Sequence, residues 1–383
     1  MGNLLEQFTA DLSQHFFLRE YSFDKNRFHA IGGHQLELAD HVIALPDALF
    51  LFQLKERDSR AAIDEGSLEK WFEQKVLKKG CGQIADSVRF LKDQPVLMVT
   101  NQRGHVRNLA AARQSVIPIL LYSACANPPV SISAKKHHVS RRAGFVHLLS
   151  ITDYYHLCRI LALPSALVAY FAFRQDLLLR FPNGHWDETE IAAQFIADTH
   201  VRIPAPDVKT ILQEAVGDVS TFDISSILRR LGEKVTYLTG KGNDLDYYQI
   251  LSEFSRLTRA EMRGFKRLLV WALDKAGTAG VQIPARLKGA NGTGFLVIPI
   301  HQGAFDTRLD ALNNLSIAAK YDWRLDRQIG LSVARDGSEV ELDWCYLDGP
   351  WQQDVEIESA LTKAYPFRQT PEPRIEYRYP SSS

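Results

Sequence analysis

The stretch from Leu36 to Lys55, LELADHVIALPDALFLFQLK, constrains this chain more than any other. Two apolar runs, Leu36 to Ala44 and Leu49 to Leu54, flank Pro46-Asp47. Proline presets φ for the first central position of a tight turn and aspartate tolerates the second, so the stretch predicts a β-hairpin. A turn symmetric about Pro46 and Asp47 sets Leu45 against Ala48, and counting outward brings Asp40 opposite Gln53. Opposed residues of an antiparallel pair stand about 4.5–5.5 Å apart at Cβ, close enough for a carboxylate and an amide oxygen to share one cation. Lys55 lies two residues beyond Gln53, and the strand period of two returns it to the same face. Asp40, Gln53 and Lys55 are therefore expected to converge. The same parity sends Glu37 and His41 to the other face unless a bulge intervenes.

An acid in one strand, followed by a strand ending in an acidic or amide residue, any residue and lysine, resembles the PD-(D/E)xK nuclease superfamily. Here the residues are Asp40 and Gln53-Leu54-Lys55, the latter inside FQLKER. The glutamine form is similar to that of methyl-directed restriction endonucleases, which often carry a further acid on the helix preceding the sheet. Glu6 in LLEQFTADL is the best match to that acid and Glu20 the second. Glu6 also suits a plain first-turn position, where the helix dipole favours an acid. The resemblance covers roughly the first 150 residues, about one domain's length.

The resemblance implies an α/β fold with a mixed-sheet, restriction-endonuclease-like core and flanking helices. It implies Mg²⁺ or Mn²⁺ held by Asp40 and oxygens at Gln53, with Glu6 as a third contributor, and Lys55 orienting or deprotonating the attacking water. Asp40, Gln53, Lys55 and Glu6 would thus form a catalytic set for hydrolysing phosphodiester bonds in DNA, in bacterial restriction, repair or phage defence. Glutamine in place of an acid leaves the site one negative charge poorer. That keeps open a catalytically inactive nuclease-fold protein acting as a nucleic-acid-binding or assembly module, and also an ordinary hairpin that happens to end in FQLKER.

At 383 residues the chain exceeds one ordinary core. Pro182-Asn183-Gly184 marks the expected boundary between a nuclease-like domain, 1–182, and a helical then α+β domain, 183–383, a candidate surface for a protein partner or homo-oligomer. Lys+Arg and Asp+Glu both number 45, so no global positive field draws the chain to nucleic acid, and any such contact needs a local patch. The most basic run spans residues 135–142. Its Lys135, Lys136, Arg141 and Arg142 are candidate phosphate contacts, with a solvated loop as the alternative. Four dispersed cysteines suggest neither a zinc module nor a disulfide framework. With no signal-peptide pattern at the start and no apolar stretch long enough to span a bilayer, a cytoplasmic protein without a membrane partner is expected.

Periodicity supplies the remaining elements. Leu5, Phe8, Leu12 and Phe16 predict a helix over 4–17, Tyr21 and Phe23 a first strand, and Gly32-Gly33 a turn into the hairpin. Residues 67–91 read as a helix kinked near Gly80 and Gly82, with Lys75, Lys78, Lys79 or Gln83 available to line a groove. Strands follow at 96–100, 106–110, 116–122 and 144–150, then two helices over 151–179 broken at Pro164. Residues 187–279 are helical, KGANGTG reads as a hairpin turn, and strands fall at 295–300, 328–334 and 340–347 with Asp336-Gly337 turning the last pair.

Overall fold

The computed structural model describes residues 4–367 apart from 25, 30–32, 59–63, 95, 110–114, 126–127 and 235–244. It divides into two compact units, Met1–Val219 and Ser220–Ser383. Both are mixed α/β, with sheets that combine parallel and antiparallel pairs. The division lies beyond the expected boundary at 182/183. Glu188, past the Pro-Asn-Gly break, is buried in an ion pair with Arg174, and that contact keeps the following helix in the first unit.

The first unit opens with α1 (Leu4–Phe17), β1 (Ser22–Phe23), β2 (Arg27–His29), β3 (Gln35–Glu37), β4 (His41–Ala44) and β5 (Ala48–Glu56). A long helical run follows: α2 (Glu65–Trp71), a π-helical segment (Phe72–Gly80) and α3 (Cys81–Asp93). Next come β6 (Met98–Thr100), β7 (Val106–Asn108), β8 (Ser115–Ser123), α4 (Val130–Ser133), β9 (His137–Ser140) and β10 (Gly144–Ser150). α5 (Ile151–Leu161), α6 (Pro164–Arg180), α7 (Glu188–Ile196) and α8 (Ala205–Phe222) complete the run. The main sheet has the order β1-β4-β5-β8-β10-β9. β4 and β5 are antiparallel, whereas β5, β8 and β10 run parallel, so the helical run is part of the crossover that a parallel pair requires.

Two expectations change. β6 and β7 pair only with each other, as β2 and β3 do, so neither ribbon belongs to the main sheet. The buried stripe of α1 is Leu5, Thr9, Leu12, Ser13 and Phe17, while Phe8 is exposed. Thr9 and Ser13 enter the core because their hydroxyls donate to the carbonyls of Leu5 (2.8 Å) and Thr9 (2.7 Å), which removes the cost of burying them.

Strand parity divides the core. Leu49 and Leu51 of β5 join Leu120, Val146 and Leu148 against Phe72, Val76 and Ile84 of the helical run. Phe50 and Phe52 face the other way, with ring centroids 5.7 Å from Phe17, 5.9 Å from Phe171 and 5.5 Å from Tyr154. Each such fully buried side chain is worth about 1.5–3 kcal/mol, so a one-residue slip of β5 would be costly and the register is strongly held.

The second unit contains α9 (Ser225–Lys234), α10 (Tyr247–Arg256), α11 (Arg259–Lys275), β11 (Ala285–Lys288), β12 (Thr293–Pro299), α12 (Arg308–Asp322), β13 (Arg327–Asp336), β14 (Glu339–Asp348) and α13 (Val355–Lys363). Its sheet has the order β11-β12-β13-β14, with only the β12–β13 pair parallel. The glycine-rich segment is the expected hairpin turn, closed by Gly289 N–H donating to the Thr293 carbonyl at 2.9 Å. Among the described residues no helix is long and apolar enough to cross a membrane.

Candidate functional site

The β4–β5 register pairs His41 with Phe52 and Ala44 with Leu49, as the turn predicts, but the ladder stops there: the Asp40 N–H donates to the Phe52 carbonyl at 3.1 Å, so the expected pairing of Asp40 with Gln53 is not formed. The turn closes through Leu45 N–H donating to the Ala48 carbonyl at 2.9 Å. Asp40 itself has left the regular ladder, and its Oδ2 accepts the Leu54 N–H at 2.6 Å. A carboxylate that accepts a main-chain N–H is held in place without a second charged side chain.

Asp40, Gln53 and Lys55 converge on one face of the sheet. Lys55 Nζ donates to the Leu54 carbonyl at 2.9 Å and lies 3.4 Å from Gln53 Oε1 and 3.5 Å from Asp40 Oδ2. The last two contacts are too long to be strong hydrogen bonds. The three oxygens, a carboxylate, an amide and a main-chain carbonyl, therefore surround one cationic group without saturating each other. Lys55 and Asp40 are largely shielded, with side-chain exposures of 12% and 19%. Burial pushes the Lys55 ammonium below the usual lysine range. Asp40 opposes that shift, Lys79 adds to it, and Glu6 opposes it more weakly.

Glu6 occupies an exposed position of α1, and its charge is the weakest of the influences on Lys55. Glu20 is instead buried in an ion pair with Arg103, 2.7 Å from its Nε. Glu37 departs from the parity expectation. Leu38 and Ala39 are both buried, so alternation breaks between β3 and β4, and Glu37 senses Asp40. Burial raises the Glu37 carboxyl pKa and the Asp40 charge raises it further. His41 keeps to the opposite face, with Nε2 3.2 Å from Ser22 Oγ and its ring against Phe52.

The helical run covers this end of β5. A methyl group added at Gly80 would collide with Leu120 Cδ1 and come within 3.5 Å of Lys55 Cε, so only glycine lets the π-helical segment approach so closely. The expected kink at Gly80 is instead the end of nine residues of π-helix, a winding found mostly in short pieces and often at functional sites. Tyr122, paired with Lys55 across β8, packs edge-on to Phe72 with centroids 5.2 Å apart. Neither the winding nor Tyr122 was legible in the residue pattern.

The basic run 135–142 contributes nothing to this cluster. Lys136 is buried, 4.0 Å from Glu188, whereas Lys135, Arg141 and Arg142 are exposed, Arg142 in a surface ion pair with Asp86 at 3.1 Å. Lys136 therefore stands as a buried ion-pair residue and not as a phosphate contact. The middle of the run, His137–Ser140, is β9, an edge strand of the sheet.

Hard divalent cations take oxygen ligands, and Mg²⁺ commonly uses one or two carboxylates and keeps several waters. Asp40 Oδ2, Gln53 Oε1 and the Leu54 carbonyl fit that donor chemistry. Among the described residues no group of three or more His, Cys, Asp or Glu side chains is placed to hold a metal, so any such site depends on amide and main-chain oxygens. No family model, curated protein or solved structure matches the chain.

Proposed function

We propose that the first unit is a metal-dependent nuclease with a restriction-endonuclease-like core that hydrolyses phosphodiester bonds in DNA. The observation that carries this reading is the convergence of Asp40 Oδ2, Gln53 Oε1 and the Leu54 carbonyl around Lys55 Nζ. That cluster stands at the end of a strand whose hairpin and helical crossover frame it. Asp40, Gln53 and the Leu54 carbonyl would hold Mg²⁺ or Mn²⁺, with Glu6 reaching in from α1. When bound, such an ion supplies a more acidic water and neutralises charge developing on the phosphate. Asp40, fixed by the Leu54 N–H, keeps its position as substrate enters. Lys55, with its proton affinity reduced by burial, can take a proton from the attacking water or hold that water by donation. Gly80 leaves the room in which the lysine tip moves.

A second reading is favoured by Gln53 itself. With an amide where an acid would add charge, the oxygen cluster binds a divalent cation more weakly, and the unit would serve as a nucleic-acid-binding or assembly module. Incubating the full chain with linear duplex, circular duplex and single-stranded DNA, in Mg²⁺, Mn²⁺ or EDTA, decides between them. Products with either metal and none in EDTA support the nuclease. Intact substrate in every condition, together with retained binding, supports the module. Restriction, repair or phage defence is the biological setting this chemistry suits, with the second unit as the partner surface.

A further inference from the structure

The cationic surface beside the site is the π-helical segment. Its inward stripe is Phe72, Val76 and Gly80, four residues apart. Lys75 and Lys79 each precede a member of that stripe by one residue, so they share one flank, and helical residues four apart stand about 5–6 Å from each other at Cβ. Both are exposed, and among the described residues neither forms an ion pair. Lys79 adjoins Gly80, the residue that abuts Lys55, and its charge is felt at Lys55.

Solvated lysines on a surface helix are common, but these differ from the chain's other basic cluster in two respects. Lys136 and Arg142 are engaged by Glu188 and Asp86, whereas Lys75 and Lys79 are, among the described residues, without an ion pair, and Lys79 borders the strand end that gathers Asp40, Gln53 and Lys55. We propose that Lys75 and Lys79 grip the phosphodiester backbone of the substrate strand, contacting neighbouring phosphates so that the next one lies over Lys55. The proposal rests on the nuclease reading of the same site and adds the substrate's path across it. The contact is to phosphate, so it adds affinity without base preference.

Binding of fluorescein-labelled duplex DNA, single-stranded DNA and RNA to the full chain in EDTA, followed by anisotropy across a salt series, tests the grip apart from cleavage. For duplex DNA, each phosphate contact contributes roughly 0.9 to the slope of log affinity against log salt, so Lys75→Ala/Lys79→Ala should flatten the slope by about 1.8. The flattening caused by Lys75→Ala/Lys79→Ala should exceed that caused by Lys135→Ala/Arg141→Ala. An unaltered slope in the first variant, with the wild type still cleaving, would overturn the grip and spare the nuclease. A wild type that binds none of the three probes would overturn both. Stronger dependence on Lys75 and Lys79 with RNA than with duplex DNA would support the grip and reassign the substrate.

Discussion

Two polar clusters of the first unit, around Lys55 and around Arg174, are built on opposite principles. Around Lys55 the oxygens of Asp40 and Gln53 stand 3.5 and 3.4 Å from the ammonium, loosely engaged and partly open to solvent. Around Arg174 every guanidinium nitrogen is engaged. Its Nε and Nη2 reach Glu188 at 2.7 and 3.0 Å, Nη2 also reaches the Leu148 carbonyl at 3.0 Å, and Nη1 meets His147 Nδ1 at 3.1 Å. The Tyr170 hydroxyl donates to the same carboxylate at 2.5 Å. Burial alone would raise the Glu188 pKa, but the guanidinium outweighs it and holds the carboxyl below the usual range. A saturated cluster has no capacity left for a ligand and serves to hold α6, α7 and β10 together. An unsaturated one costs stability and is retained where something else completes it.

The largest expected difference is therefore in activity. Asp40→Asn keeps an acceptor for the Leu54 N–H but removes the charge, and Lys55→Ala removes the group proposed to handle the proton. Both should fold within about 1 kcal/mol of wild type and, on the nuclease reading, abolish cleavage. Calorimetry should show weakened Mn²⁺ binding only for Asp40→Asn, because lysine is not a ligand. Wild-type cleavage rates in both variants would place the chemistry elsewhere.

The Arg174 cluster should behave in the reverse sense. Arg174→Met leaves Glu188 buried without its main partner, a change that typically costs 3–5 kcal/mol. Urea unfolding of the full chain reads this directly. A loss below about 1 kcal/mol would mean that Lys136, 4.0 Å from the same carboxylate, takes over the pairing.

Two buried histidines add a pH response, His41 on the face opposite the Lys55 cluster and His147 within the Arg174 cluster. Burial lowers the His41 pKa to about 3, against about 6.5 for a free imidazole. The unfolded chain therefore binds the proton first as pH falls. Stability from this group is complete above about pH 6.5 and is lost progressively toward pH 3, with about 2 kcal/mol lost between pH 7 and pH 5. His147 is lowered as well, first by burial and then by the Arg174 charge, and adds in the same direction. His41→Gln should flatten the stability profile over that interval by the His41 share. An unchanged profile would show that the ring is protonated in the folded protein.

The Lys55 cluster was legible because it follows from local rules. Pro46-Asp47 sets the turn, the turn sets the register, and period two delivers Asp40, Gln53 and Lys55 to one face. Glu37 was not, because Leu38 and Ala39 are buried in succession and parity does not survive that break. The Arg174 cluster was also hidden, since its members come from β10, α6 and α7 and nothing in their spacing announces a shared carboxylate. In the second unit, the β13–β14 hairpin was plain from Asp336-Gly337. α12 was missed because RLDALNNLSIAAKYD carries no continuous apolar stripe, and it packs partly through Ser316 and Ala319. Short β11, with Arg286 buried in it, gave no strand pattern either.

The smallest effect is expected at the basic run, where the comparison can be made within one segment. Lys135 and Arg141 are solvent-exposed, whereas Lys136 is nearly as buried as the cluster it serves. Exposed charges contribute little to folding, so Lys135→Ala/Arg141→Ala should change the urea midpoint by less than about 0.5 kcal/mol in free energy. Lys136→Ala removes a buried cation facing Glu188. It should cost more than that pair, yet less than Arg174→Met, because the guanidinium still satisfies both carboxylate oxygens at 2.7 and 3.0 Å. A loss on Lys136→Ala no larger than that of the Lys135→Ala/Arg141→Ala pair would mean that Lys136 is solvated in solution and that Arg174 and Tyr170 satisfy Glu188 without it.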